Sequence, residues 1–390
     1  MYYILYRVIF LNGYTMLKLN TIGLLPPCVS KDQGFDLLKS ITNVSSLIGE
    51  LKSELKYSIV SKQLVYLFSL KESVQSTRIE GTQVTFSDMF DSNLSNKKEK
   101  EIQEVVNYNR ALTYGIELIH KNMPFSTRLI KDLHSILIKN AIGTKSASGE
   151  YRKVQNFIGP DNNIDHAVYI PISADKISLY MENLEYYANR EFHKSFNSYS
   201  DKDLYIINEK APALLMLAIM HAQFESIHPF LDGNGRMGRI LIALMAVKYK
   251  LVDSPVFLVS EELEKERARY YDLLNAVRGT NPDWYSWLKF FISCSERMAK
   301  NLILKIQNSH KLANDGISSC TIASQQDAYL STFTKCCITV KELSNLKKMS
   351  EVTARKALNA LADKGLLYSE KTVKRNKRYL NYDLKRILDA

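Results

Sequence analysis

Residues 228–239, with the sequence HPFLDGNGRMGR, constrain this 390-residue chain more than any other stretch. They place an imidazole, a carboxylate, an amide, three glycines and two arginines between two apolar segments, residues 211–227 and 240–249, each of which predicts a buried helix. Charged groups at a junction of buried helices cost free energy unless they are paired or bind a ligand. The sequence therefore predicts two core helices with a ligand site at the turn between them.

The glycines and arginines of this stretch indicate a polyphosphate site. Gly233, Gly235 and Gly238 allow positive φ and close backbone approach, so that successive N–H groups can surround an anion. A helix beginning near Gly235 would add its free N–H groups and its dipole to the attraction. Arg236 and Arg239, three residues apart, would lie on one helix face and offer bidentate contacts to phosphate oxygens.

Two further residues of the stretch suit a transfer reaction. Asp232 provides a hard oxygen ligand for Mg²⁺, an ion that is often held by one or two carboxylates and by substrate phosphates. His228 titrates near neutrality and can accept a proton from a hydroxyl. Together the residues predict group transfer from a magnesium nucleotide to a hydroxyl.

The same stretch resembles the signature of the Fic family, H-x-F-x-D/E-G-N-G-R-x-x-R. The eight specified positions all match, at His228, Phe230, Asp232, Gly233, Asn234, Gly235, Arg236 and Arg239. The resemblance implies a mainly helical enzyme that moves AMP from ATP to a side-chain hydroxyl of a target protein.

The resemblance also implies a role for each position. His228 would be the general base, Asp232 the ligand of Mg²⁺, and Phe230 an anchor in the core. Nucleotide binding would fall to Gly233, Asn234, Gly235, Arg236, Met237, Gly238 and Arg239. A tyrosine pair is common in Fic relatives on the helix predicted here for residues 261–278, so Tyr270, or else Tyr271, is expected to contact the adenine. The alternative is an amphipathic tyrosine whose hydroxyl reaches solvent.

A second resemblance lies at the end of a helix predicted for residues 60–80. Residues 76–81, STRIEG, match the inhibitory motif S/T-x-x-x-E-G/N that precedes the catalytic core in one class of the Fic family. It implies that Glu80 pairs with Arg239, removes this arginine from the γ-phosphate and holds ATP in an unproductive pose. A carboxylate competing with a phosphate for one guanidinium is physically sound. The alternative is a solvated Glu at a helix end.

Residues 154–158 and 167–170 flank a polar segment and predict a β-hairpin. The hairpin resembles the Fic flap, which holds the target segment by strand addition. Its predicted target-binding residues are Val154, Gln155, Asn156, Phe157 and Ile158. A single Pro171, where the family often has two prolines, leaves the target register open, and a purely structural hairpin is the alternative.

Three other histidines, His120, His134 and His221, lie among apolar neighbours without a second ligand at metal spacing. We interpret all three as structural residues of the core.

The C-terminal region resembles a winged helix-turn-helix. Thr339 and Glu342 form a capping box, and Ser350 caps a second helix that ends at Gly365. Two predicted strands follow, joined by a basic segment containing Lys371, Lys374, Arg375 and Lys377. From residue 331 onward the chain has fourteen Lys and Arg against six Asp and Glu. The basic wing suits phosphate contact, yet the same fold serves protein contacts, so DNA binding stays open.

The predicted fold class is mainly α: a Fic-type helical core with a β-hairpin flap, followed by a winged helix-turn-helix domain. We predict an inhibitory helical region at 16–110, a catalytic core at 111–300, a linker helix and connection at 301–331, and a winged domain at 332–390. The apolar run at residues 2–11 is too short to span a membrane, and residues 1–15 are a possible mis-called start with Met16 as the alternative. Five scattered cysteines favour a reducing cytoplasm. ATP and Mg²⁺ are the expected substrate and metal, the expected partner is a hydroxyl-bearing protein, and self-modification and a homodimer stay open.

Overall fold

The computed structural model describes residues 21–90, 96–139, 148–159, 163–196, 203–369 and 377–389. The chain divides into two compact units. The first comprises residues 1–46, 72–85 and 94–298, and the second comprises residues 47–71, 86–93 and 299–390. The predicted alternative starts, Met1 and Met16, lie outside the described residues.

The described residues are mainly helical, as predicted, with short strands between the helices. The helices are α1 (Lys31–Tyr57), α2 (Ser61–Ile79), α3 (Asn96–His120), α4 (Thr127–Leu137), α5 (Ile177–Ala188), α6 (Ala213–Ile227), α7 (Asn234–Lys248), α8 (Ser260–Lys265), α9 (Arg267–Ala276), α10 (Trp284–Ser318), α11 (Ala323–Lys335), α12 (Val340–Lys347), α13 (Glu351–Asp363) and α14 (Tyr382–Asp389). The strands are β1 (Cys28–Ser30), β2 (Leu204–Ile206), β3 (Cys337–Thr339), β4 (Tyr368–Ser369) and β5 (Arg378–Leu380).

The core of the first unit is built around α6 and α7, which pack against each other. Nearly every residue of α6 is buried, and so is most of α7, because both helices are apolar on almost all faces. The helices α3 and α4 cover α7, α5 packs on α6, and β1 pairs with β2 in an antiparallel ladder. The prediction of two buried helices flanking the motif is confirmed.

The predicted flap is less regular than a β-hairpin. Its two arms are joined by one antiparallel bridge, between Ile158 and Tyr169, and a short 3-10 turn at Ile164–His166 follows the tip. Residues 160–162 at the tip lie outside the described residues. On the side of the bridge away from the tip, the carbonyls of Val154 and Ile172 accept hydrogen bonds from the buried Arg152 side chain.

The charged helix predicted for residues 261–278 is divided into α8 and α9. The break falls at Glu266, whose φ of −115° and ψ of 38° are not helical. The Glu266 carboxylate bonds Arg297 and Arg269, contacts that hold the break in place.

The second unit contains a three-stranded antiparallel sheet in the order β3-β5-β4, with β5 in the centre. The helices α11, α12 and α13 pack on one another, and α14 contributes the buried Leu384 and Leu388. Both predicted caps are present: Thr339 and Glu342 form the capping box of α12, and the Ser350 hydroxyl accepts from the N–H of Thr353. The winged-helix assignment stays a prediction, since residues 370–376, including most of the basic wing, lie outside the described residues.

The region predicted as a linker helix and connection, residues 301–331, has a different structure. Here α10 runs unbroken from Trp284 to Ser318, and α11 occupies much of the predicted connection. The polar composition of residues 323–331 predicts a connection, but residues 323–335 form α11, whose buried face consists of Ala328, Tyr329 and Phe333. Within the described ranges, no helix is long and apolar enough to cross a membrane.

Candidate active site

The turn between α6 and α7 brings His228 into a buried position. His228 ends α6 in the left-handed conformation, with φ of 49°, and its N–H donates to the carbonyl of Phe224 at 2.9 Å. Burial, followed by the positive charges of Arg152 and Arg278, lowers the pKa of His228 to about 3. The imidazole is therefore neutral at physiological pH, which is the protonation state that a general base needs, although the lowered pKa makes it a weaker base.

The first turn of α7 forms an anion site that a carboxylate of the same chain occupies. Helical hydrogen bonds of α7 begin at the N–H of Met237, which donates to the carbonyl of Gly233 at 2.9 Å, so the preceding N–H groups have no acceptor within the helix. A Cβ atom on Gly235 would lie 2.2 Å from Oε1 of Glu80. The Glu80 carboxylate thus lies over the positive end of the helix, where a phosphate would bind.

Arg239 is the second group that Glu80 contacts. Its Nη2 donates to Oε1 of Glu80 at 2.5 Å and to the carbonyl of Ser76 at 3.0 Å, and its Nε donates to the Ser76 hydroxyl at 2.8 Å. The side chain of Arg239 is 1% exposed and that of Glu80 is 16% exposed. Burial alone would lower the pKa of Arg239, but the Glu80 carboxylate raises it, and the net change is upward. The guanidinium stays charged, and Glu80 is its carboxylate partner.

Arg236 has partners different from those of Arg239. Its Nη1 donates to Oε2 of Glu104, on α3, at 2.7 Å, and its Nη2 lies 3.4 Å from Oδ1 of Asp232. The spacing predicts that both arginines face the same phosphates, which stays a prediction; in the structure Arg236 bonds Glu104 on α3, and Arg239 bonds Glu80, which follows α2. Their side chains are long enough to diverge from one helix face, so the neighbouring helices determine which partner each one meets.

The other motif residues build the turn and its packing. Oδ1 of Asn234 accepts from the N–H of Phe230, and its Nδ2 donates to the Phe230 carbonyl, both at 2.9 Å. Met237 is fully buried, and a Cβ on Gly238 would lie 2.3 Å from Oε1 of Glu225. Gly233 adopts φ of 80° as the N-cap residue that precedes α7. The side chains of Asn234 and Met237 therefore face the protein interior.

Asp232 is the residue that would hold a magnesium ion. Its Oδ1 accepts from the N–H of Gly233 at 2.6 Å. Among the described residues there is no cluster of three His, Cys, Asp or Glu side chains that could enclose a metal. A single carboxylate on the loop before α7 suits a magnesium ion that receives its other ligands from the nucleotide and from water. The residues fit a metal that arrives with the nucleotide.

A cavity of about 160 Å³ lies beside the turn. The predicted site residues that line it are Glu80, Ile158, His228, Gly235, Arg239, Tyr270 and Tyr271. It combines an imidazole, a helix N-terminus, a guanidinium and two aromatic rings, as a nucleotide site requires. A larger cavity of about 440 Å³, lined by residues including Lys131 and Glu182, contains no residue of the motif.

The tyrosine pair lies on α9 with both rings against the cavity. Tyr270 is 1% exposed, and its hydroxyl lies 2.7 Å from Nε2 of His221. The hydroxyl of Tyr271 is buried and has no hydrogen-bond partner within the described part of the chain. His221 stacks on Tyr270 and on Trp287, behind the cavity, which agrees with its interpretation as a core residue. The position of both rings leaves either one able to contact a base.

Of the predicted flap residues, only Ile158 lines the cavity. Phe157 and Asn156 are fully buried, and Nδ2 of Asn156 donates to the carbonyl of Phe230 at 3.3 Å. Nε2 of Gln155 donates to the carbonyls of Asn156 and Pro171. Most of these side chains fasten the segment to the protein, while Val154 is engaged through its backbone carbonyl.

Two residues that sequence reasoning missed connect the parts of the site. Arg152 donates from its backbone N–H to the carbonyl of Pro229 at 2.8 Å and from its Nε to the carbonyl of His228 at 2.9 Å, so that it joins the flap to the motif. Glu225 lines the cavity, and burial raises its pKa to about 7. Oε1 of Glu225 has no hydrogen-bond partner among the described residues. The position of Glu225, three residues before His228, was the sequence signal that could have placed it in the site.

Two family models match the chain. The model described as Fic/DOC family matches residues 124–246, and the model described as Fic/DOC family N-terminal matches residues 38–117. Together they cover more than half of the chain, and they contain the motif and Glu80 respectively.

Similar proteins include the protein adenylyltransferase Fic of Drosophila grimshawi, which is 23% identical over 276 residues, or 69% of this chain and 47% of that protein. The chain thus spans about half the length of the curated relatives that it matches. A solved Fic family protein from Desulfovibrio desulfuricans G20 superposes with a TM-score of 0.53 at 18% identity and covers 92% of this chain and 98% of that chain. Residues 134–508 of C. elegans Fic-1 superpose with a TM-score of 0.51 at 20% identity, and the match covers 71% of this chain and 74% of that chain.

Proposed function

The chain belongs to the Fic/DOC family, and we propose that it is a protein adenylyltransferase that moves AMP from ATP to a Ser, Thr or Tyr hydroxyl of a target protein. The observation that carries this proposal is the joint position of His228, the N-terminus of α7 and Arg239 around one cavity with two tyrosine rings. The names of the Drosophila relatives support the reaction.

The nucleotide would bind with its phosphates at the first turn of α7 and its base near Tyr270 or Tyr271. The free N–H groups around Gly235 and the guanidinium of Arg239 are suited to phosphate oxygens. Magnesium, when bound at Asp232, would neutralise charge on the phosphates and on the departing pyrophosphate. ATP is the expected substrate and Mg²⁺ the expected metal.

In the transfer step, the target hydroxyl oxygen forms a bond to the α-phosphorus, and the bond from that phosphorus to the bridging oxygen of pyrophosphate breaks. His228 accepts the hydroxyl proton, a role that its neutral state permits. The backbone of the flap near Ile158 lies beside the cavity and would hold the target segment by main-chain hydrogen bonds.

Glu80 is proposed to keep this site inactive. It occupies the anion position over Gly235 and bonds the guanidinium that a γ-phosphate would need. The cavity of about 160 Å³ is also smaller than the roughly 300–1,000 Å³ of typical ligand pockets. Displacement of Glu80 would free the phosphate site and enlarge the cavity at once.

Incubation with ATP labelled at the α-phosphate, in parallel with ATP labelled at the γ-phosphate, tests the proposal. Glu80→Gly should incorporate the α label and not the γ label into itself or an added protein, and His228→Ala in the same background should abolish incorporation. Mass spectrometry of the product identifies the transferred group. Absence of α label from Glu80→Gly, with unlabelled lysate proteins added as targets, would contradict adenylyl transfer.

The reverse reaction, removal of AMP from a modified protein, is an alternative on the same site, in which Glu80 would orient the attacking water. A protein that has been modified by the Glu80→Gly variant provides its substrate. If the wild-type chain releases AMP from it and His228→Ala does not, the chain acts in both directions.

DNA binding by the second unit is a second proposal, supported by the exposed Arg355 and Lys356 on α13, a helix that Ser350 caps. Contacts to phosphates make affinity depend on salt, with a loss of affinity that increases with the number of charges neutralised. An affinity for duplex DNA that decreases with salt and after Arg355→Gln would support a DNA-binding regulator. An affinity that neither change alters would exclude it.

A further inference from the structure

We propose that His134 is a positioning residue which, as the Nε2–H tautomer, holds the loop of Asp232 and the base of the flap in register. The proposal rests on the adenylyl transfer proposed above and adds a residue to it. His134 lies on α4 and is fully buried.

The two ring nitrogens of His134 bond to two different functional segments. Nδ1 accepts from the backbone N–H of Gly149 at 3.2 Å, at the base of the flap. Nε2 lies 2.9 Å from the backbone carbonyl of Asp232. A carbonyl can only accept, and a backbone N–H can only donate, so the proton must be on Nε2. One neutral imidazole therefore satisfies both segments, and neither the other tautomer nor the imidazolium does.

Both segments are shaped to reach this ring. Gly149 and Gly233 have φ values of 77° and 80°, in the left-handed region that favours glycine. A Cβ on Gly149 would lie 2.2 Å from the Ser135 hydroxyl and 2.9 Å from the carbonyl of Lys131, so the flap base can approach α4 only as glycine. A Cβ on Gly233 would lie 3.5 Å from Nε2 of His134.

The ring also packs against the motif itself. The rings of His134 and Phe230 are parallel within 4°, with centroids 3.7 Å apart. The bond to Asp232 and the stack on Phe230 together fix two residues of the motif loop. Outer-shell residues that orient a metal-binding carboxylate commonly affect metal affinity or activity by about 10–100-fold. His134 would act in this way, through the backbone of Asp232.

Two substitutions separate the two hydrogen bonds while both remove the aromatic stack. In His134→Gln, the side-chain amide nitrogen is the same number of bonds from Cα as Nε2, so it can donate to Asp232. In His134→Asn, the side-chain oxygen is the same number of bonds from Cα as Nδ1, so it can accept from Gly149. Each variant is thus the packing control for the other, and both are made in the Glu80→Gly background.

The two variants should have opposite effects on kcat and on hydrogen exchange of the Gly149 amide. His134→Asn should have a kcat about 10–100-fold below that of His134→Gln and need more Mg²⁺ for its half-maximal rate, because only the glutamine still donates to the carbonyl of Asp232. Hydrogen exchange of the Gly149 amide, measured without nucleotide or metal, should accelerate in His134→Gln and stay protected in His134→Asn. Equal kcat in the two variants, or equal exchange, would overturn the proposal.

Nitrogen-15 NMR chemical shifts of the His134 ring report its tautomer without any measurement of enzyme activity. The unmodified chain should show His134 as the neutral Nε2–H form, and an Nδ1–H or doubly protonated ring would overturn the proposal. If Glu80→Gly itself transfers no AMP, the proposed function fails, while the tautomer and the exchange data still decide whether His134 holds the two segments.

Discussion

The contact between Glu80 and Arg239 leads to a quantitative prediction for Glu80→Gly. The bond of 2.5 Å joins a carboxylate to a guanidinium that is 1% exposed. A hydrogen bond to a charged group contributes about 1.5–3 kcal/mol, and each 1.4 kcal/mol corresponds to about tenfold. If this bond competes with the γ-phosphate, kcat/KM for ATP in AMP transfer should rise by about 10–150-fold.

The same substitution should destabilise the protein when no nucleotide is present. Removing one partner of a buried ion pair typically costs about 3–5 kcal/mol. Ser76 still holds Arg239 through two hydrogen bonds, and Glu80 is partly exposed, so we expect a loss of about 2–3 kcal/mol. Saturating ATP should restore much of it, because phosphate then pairs with Arg239. Urea unfolding with and without ATP measures the loss of stability and its recovery on ATP binding.

A matched control, Arg78, lies two residues before Glu80, at the end of α2. Nη2 of Arg78 is 3.4 Å from Oε1 of Glu264, and these side chains are 41% and 28% exposed. Arg78→Gln should therefore cost less than about 1 kcal/mol and leave AMP transfer unchanged. Inhibition through the Glu80–Arg239 bond would be refuted if Glu80→Gly had the wild-type kcat/KM. It would also be refuted if Arg78→Gln raised kcat/KM as much as Glu80→Gly does.

Three further predictions concern other contacts of the site. Gly235→Ala should abolish most AMP transfer even in the Glu80→Gly background, since the added methyl fills the anion position; labelling that persists at more than about a tenth would contradict this. Arg152→Lys should lower the free energy of unfolding by about 2–4 kcal/mol, because an ammonium cannot reproduce the guanidinium contacts to several carbonyls, among them that of His228; an unchanged urea midpoint would argue against it. Burial raises the pKa of Glu225 from 4.5 to about 7, so the folded state binds the proton more tightly and stability falls as pH rises from 4.5 to 7. Glu225→Gln should reduce this fall by about 2–3 kcal/mol in unfolding measurements at pH 5 and pH 8, and an identical fall would count against the buried carboxyl.

The parts of the site that are contiguous in sequence were predictable. Of the three glycines predicted to allow positive φ, Gly233 adopts it, whereas Gly235 and Gly238 lie within α7. The burial of the flanking helices follows from apolar patterning, and α7 starts at Asn234, one residue before the predicted start near Gly235. The same holds for the caps at Thr339 and Ser350, because a cap is a bond between residues three apart.

Elements that depend on distant partners were predicted less well. One bridge joins the arms of the flap in place of the predicted regular strands, and the carbonyls that Arg152 bonds there, those of Val154 and Ile172, cannot be inferred from composition. The helix α11 escaped prediction because few large apolar residues mark its buried face. His134 looked like a core histidine, and it is one, but only the tertiary structure brings Gly149 and Asp232 to its two nitrogens.

The sequence by itself predicts the chemistry at residues 228–239: a proton acceptor at His228, an anion-binding helix start near Gly235 and a metal-binding carboxylate at Asp232. Those properties are local, since they depend on residue type and on spacing along one loop. The tertiary structure decided which partners the arginines meet. Arg239 bonds Glu80 and Arg236 bonds Glu104, across 159 and 132 residues of sequence. Such pairings depend on how α2 and α3 pack against α7, and helix packing is fixed by the whole core rather than by any one segment.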